Sequence, residues 1–170
     1  MAAIRDRLFA WGWTERPVDD TATTIMDSAS SSPTWQNQGP HRFYLRGDVL
    51  FWECHGPMNR PDVMVLFDLR VAVQRRMGRV FLLVDARHNT GVPAESRRYA
   101  ANFKPDPPLQ GAVVVFGAGL IVRTAVTLII SATRLLGRGD LKMMFFASNE
   151  AEAWSLIQRE RLTLSPELSR

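Results

Sequence analysis

Asp85 and His88 are the residues of this chain whose types and spacing come nearest to acid–base chemistry. They close and follow the apolar run RVFLLVD, residues 79–85, which reads as a strand buried on both faces. Ligands of open α/β sheets meet the polar groups just past such strand ends, so an Asp and a His there could pass a proton. No nucleophile stands at a fixed spacing from them, and helix capping or loop hydrogen bonds by Asp85 and Asn89 account for the same residues without catalysis. No catalytic residue is therefore assigned. Cys54 and His55 are adjacent, and neighbours on a strand point to opposite faces, so they make no dyad. Three histidines and one cysteine give no metal-ligand spacing, and neither metal nor cofactor is expected.

Binding is the chemistry left to these positions. Asp85, Arg87, His88, Asn89 and Thr90 form a polar stretch, read as a loop over residues 85–91. Gly117-Ala118-Gly119 offers a second site, between a strand and a helix. It departs from the dinucleotide fingerprint, because Val122 stands where the third glycine belongs and no acid follows at the right distance. The free N–H groups of a helix starting at Gly119 can still hold an anion. Arg123 and Arg134 lie three turns apart on one face of that helix with Thr127 between them, a cation stripe that suits phosphate or a carboxylate or else pairs with Glu150 or Glu152. Asp85, Arg87, His88, Asn89, Thr90, Gly119 and Arg123 are the candidate binding residues.

The elements that would position them begin with residues 111–136, the most apolar stretch of the chain. A bilayer span needs about 20 unbroken apolar residues. Arg123 in mid-span and the glycines before it argue against one, and split the stretch into a buried strand, 112–116, and a helix, 120–136. Upstream, RFYLRGDVLFWECHG reads as a hairpin turning at Arg46-Gly47-Asp48. Asn59-Arg60-Pro61-Asp62 is a helix start, and apolar residues recur at helical spacing until Gly78. A short helix spans 93–103, prolines 105, 107 and 108 stiffen a connector, and LKMMFFA is the last strand. Asn149 with Glu152 caps the last helix, whose buried side carries Trp154 and Ile157. The expected fold is α/β: a mainly parallel five-stranded sheet with an antiparallel edge hairpin and four covering helices, its crossovers right-handed.

A length of 170 residues, 46% of them hydrophobic and 22% charged, fits one globular domain. Residues 41–162 are assigned to it, residues 1–40 to an amphipathic stretch and a polar linker, and residues 163–170 to a frayed tail. Ile4, Leu8, Phe9, Trp11 and Trp13 among charges are too short and too interrupted for a secretory signal, but residues 1–13 suit peripheral membrane contact. Met26 offers an alternative start. A cytoplasmic location is expected. The net charge of +4 permits an anionic partner, yet the arginines are not interleaved with aromatics, so nucleic acid is not the expected one.

Three segments carry a family likeness: LLVDARHNTGVPAESRRYAANF, VVVFGAGLIVRTAVTLIISATRLLG and MMFFASNEAEAW. Together they resemble the STAS and CRAL-TRIO-like (SpoIIAA-like) group of small bacterial proteins. The resemblance covers residues 42–161 and rests on the aspartate ending a buried strand, on Gly117-Ala118 with Arg123 and Val126-Thr127-Leu128, and on the closing FF-A-x-x-E-A-E-A-W. It implies a non-enzymatic domain that binds a protein partner, a nucleotide or a lipid. STAS antagonists of anti-sigma factors carry a phosphorylated serine in an Asp-Ser-Ser-Gly turn, which this chain lacks. Thr90 and Ser96 are the only hydroxyls near that place. The function expected is a regulatory or protein-interaction domain acting through residues 85–91 and the starts of the two following helices. The alternative is a carrier of lipid or an anionic small molecule, with an apolar cavity between the sheet and helices bearing Phe67, Leu120 and Val126.

Overall fold

The computed structural model describes residues 33–135 and 143–164. The expectations for residues 1–32, for the side chain of Arg134, for the helix stop at Gly137 and Gly139, and for the last six residues lie outside that range. Six strands form one sheet: β1 (Gln36–Gln38), β2 (His41–Arg46), β3 (Val49–Pro57), β4 (Phe81–Gly91), β5 (Val113–Phe116) and β6 (Met144–Ala147). Among the described residues four helices accompany them: α1 (Arg60–Met77), α2 (Ala94–Asn102), α3 (Leu120–Leu135) and α4 (Glu150–Leu164). Spatial order equals chain order, with β1 to β3 antiparallel and β3 to β6 parallel.

The α/β class is as expected, with one strand more than the five anticipated. The extra strand, Gln36–Gln38, lies in a stretch read as linker because its side chains carry no apolar alternation. Its backbone pairs with β2, and Trp35 beside it stands edge-on to Tyr44 at 4.8 Å and to Phe51 at 5.8 Å. Backbone pairing at a sheet edge asks little of side-chain pattern.

Alternation along the strands divides the core. Tyr44, Phe51, Phe81, Leu83, Val114 and Phe116 face one side, where Ala153 and Ile157 of α4 cover them. Trp52, Leu82, Val84, Val113 and Val115 face the other, against α1, α2 and α3. A parallel sheet laid down in chain order with right-handed crossovers puts all its crossover helices on one face. Of the described helices, that leaves α4 alone on the opposite one.

Local chemistry fixes the joints. Gly47, with φ of 59°, turns the hairpin between Arg46 and Val49. The Asp62 carboxylate accepts the Asn59 N–H at the start of α1, and Gly78 ends that helix in the left-handed region. Gln74, buried on α1, holds the proline connector by donating to the Pro108 carbonyl and accepting from the Gln110 N–H. Buried Asp48 accepts from Arg79 and, on its other oxygen, from Arg161, tying the hairpin turn to α4. That helix starts as expected, with the Asn149 side chain accepting the Glu152 N–H and Glu152 accepting that of Ser148. It runs to Leu164, so Thr163 and Leu164 are helical and not tail.

The most apolar stretch divides as expected into strand and helix. Among the described residues no helix is long and apolar enough to cross a membrane.

Candidate functional site

The segment read as a loop over residues 85–91 is strand. β4 continues to Gly91 because β3 continues beside it to Pro57, pairing His55 with His88, Gly56 with Asn89 and Pro57 with Gly91 through two register shifts. Backbone bonding across the bulges holds a polar sequence in extended form, which side-chain polarity alone does not reveal.

This extension separates the residues expected to cooperate. The Asp85 carboxylate, 1% exposed, accepts from the Arg87 backbone N–H at 3.0 Å and from the Arg87 guanidinium at 2.6 and 3.0 Å. Arg87 in turn lies over the Phe116 ring and against Gly117, where a Cβ would strike its side chain. The hydrogen bonds it donates to Asp85, and the charge of that carboxylate, push the Arg87 guanidinium up from its ordinary value. His88 is exposed and stacks on His55, with ring centroids 5.3 Å apart. Asp85 and His88 thus belong to different sets of contacts, and the proposed acid–base pair does not assemble.

The partner that sequence reading passed over is Glu53. Burial pushes its carboxyl up, but hydrogen bonds from Arg42 at 2.8 Å and His55 at 2.6 Å outweigh that and hold it below its usual range. Two residues apart on one strand, Glu53 and His55 share a face, a period-2 signal that was available in ECH. The His55 backbone N–H donates to His41 Nδ1 at 3.0 Å, which leaves the His41 proton on Nε2, 3.4 Å from Asp62. These carboxylates are already engaged by cations or imidazole. Burial pushes the Cys54 thiol up to about 12, so it stays protonated near neutrality. Among the described residues no three His, Cys, Asp or Glu side chains gather as a metal site would need.

The remaining candidates sit nearby in different roles. The Asn89 side chain accepts the Gly91 N–H at 2.7 Å. Arg123 donates to the Ala118 carbonyl and lies over Phe146, and Thr127 donates to the Arg123 carbonyl. Glu150 accepts from Trp154 and Glu152 from Ser148, so the expected pairing of these acids with Arg123 is replaced by contacts inside α4 and its cap. Ser96 is fully buried, whereas Thr90 and Gly119 are exposed.

Thr90 and the turn beyond it border a groove of about 600 Å³. Its walls are Gly91, Val92, Pro93 and Arg97 on one side and Leu120, Ile121, Thr124 and Leu128 of α3 on the other. Leu120, Ile121 and Leu128 are 82%, 73% and 55% exposed. The helix expected to be covered is therefore apolar on two faces: Val122, Ala125 and Ile129 are buried, and the stripe 120, 121, 124, 128 is open. Spacing of i, i+1, i+4, i+8 marks one helical face, a second apolar stripe that the reading of the Arg123, Thr127 and Arg134 face did not single out. Among the described residues Arg97 is the only ionisable side chain lining the groove.

Beneath α3 a second, smaller space of about 120 Å³ lies between the sheet and the three helices. Phe67 and Val126 line it as expected; Leu120 does not, since it points to the groove.

No protein-family model matches the chain, and no curated protein matches it.

Proposed function

We propose that this is a non-catalytic interaction domain that docks an apolar, acid-bearing segment of a partner protein in the groove between the end of β4, the start of α2 and α3. The observation that carries the reading is the exposure of Leu120, Ile121 and Leu128 on a helix whose other face is core. An amphipathic helix uses i, i+3, i+4 anchors to fill such a groove. The charge of the site selects the partner's polar residue: Arg97, on a chain of net charge +4, favours a carboxylate. The resemblance to the STAS group supports the same reading, since it implies a domain that binds and does not catalyse.

Selection of a displayed random-peptide library on the folded chain tests this. Enriched peptides are expected to carry apolar residues at helical spacing together with Asp or Glu. The double variant Leu120→Asp, Leu128→Asp is expected to lose their binding by about tenfold or more, as removal of central apolar anchors does. Enrichment of basic peptides, or binding that the double variant retains, would overturn the assignment.

A further inference from the structure

Close-packed interiors leave few voids larger than a water molecule, and the space under α3 is one of the exceptions. Its floor is sheet: Trp52, Leu82 and Val115. Its roof is helix: Phe67 from α1, Val122 and Ile129 from α3. At about 120 Å³ it approaches the size of an engineered apolar cavity in another protein, about 150 Å³, that stays dry and takes up benzene.

We propose that this cavity binds a small uncharged apolar molecule, no larger than about a six-carbon ring. Three features define that class. Apart from Cys54, Arg70 and Asn89 the walls are aliphatic and aromatic side chains, and the surface they turn to the space is almost wholly apolar, so it suits an apolar guest. The Arg70 guanidinium, buried among these walls and 5.9 Å from the Phe67 ring centroid, opposes a cation. The volume excludes a lipid chain, which removes fatty acids from the candidates. This inference is independent of the docking groove, because the side chains concerned lie on opposite faces of α3.

Titrating the full chain with benzene, followed by methyl NMR, reads the site directly. Saturable shifts are expected at the methyls of Leu66, Val113, Val122, Val126 and Ile129, with little change at Leu120 and Ile121. The melting temperature is expected to rise with benzene concentration, as for any ligand that binds only the folded state. Val126→Phe, which fills the void, is expected to weaken benzene binding by about tenfold or more. Ala100→Val, a milder filling from α2, weakens it less. Dodecanoate is expected neither to bind at these methyls nor to displace benzene. Unmoved cavity methyls, shifts led by the groove residues, full binding by Ala100→Val, or displacement by dodecanoate would each overturn the proposal.

Discussion

His41 has no solvent contact, and its imidazole bridges two strands and a helix by accepting from the His55 N–H and facing Asp62. Burial lowers its affinity for a proton; Asp62 opposes that shift and the charge of His55 adds to it, leaving the pKa below the ordinary 6.5. The unfolded chain therefore takes up this proton more readily than the folded one. The stability contribution is complete above pH 6.5 and is lost as pH falls through the depressed folded value. Glu53, also held low, adds a loss of the same sign below its ordinary 4.5. Urea midpoints measured downward from pH 7 are expected to fall, by at most about 1.4 kcal/mol per pH unit for each proton. His41→Asn keeps an acceptor without titrating and is expected to flatten the upper part of that fall. Little of this was legible in the sequence: His41 reads only as the first residue after a polar linker, and its position opposite β3 makes it a buried bridge.

At the scale of elements, the junction of β4 and β5 depends on Gly111. Its φ is 117°, and a Cβ there would drive into the carbonyl of Val80, just ahead of β4, a backbone atom that cannot turn aside. The Val80 N–H bonds the Gln110 carbonyl at 2.8 Å just beside it. Gly111→Ala is expected to destabilise by about 2 to 4 kcal/mol in chemical denaturation. Gly47→Ala, also at positive φ but with open space around its Cβ position, is expected to cost only about 1 to 2 kcal/mol. Elements specified by side-chain pattern were readable: the apolar runs gave β4's first half and β5, and Asn59 to Gly78 gave α1. What lay hidden depends on backbone pairing with distant residues, as in β1 and the polar half of β4, or on splitting one apolar block into two faces, as in α3. The candidate site followed the same division. Of the residues singled out, Thr90 borders the groove, whereas the strand that carries Asp85 to Asn89 and the partners of Asp85 and His88 were not legible.

For the whole molecule, the two sheet faces are closed by unequal means. Three helices share one face and leave a space of about 120 Å³ between themselves and the sheet. The other face relies on α4, packed through Ala153 and Ile157 and tethered to Asp48 through Arg161. Asp48→Ala removes the acceptor for two arginines at once and is expected to cost about 2 to 4 kcal/mol. Hydrogen exchange is expected to show α4 amides losing protection first, before those of β3 to β5.

Because spatial order repeats chain order, the parallel strands and the crossovers that roof them emerge from the ribosome as successive neighbours, each finding its mate without waiting for remote sequence. α4 is the exception. Until it emerges, Trp35 covers only Tyr44 and Phe51 of the aromatic row, and Phe81 and Phe116 lack the helix that packs on them. The nascent chain therefore passes through an interval in which half its greasy interior is bare, and holding chaperones would have their opportunity in that interval.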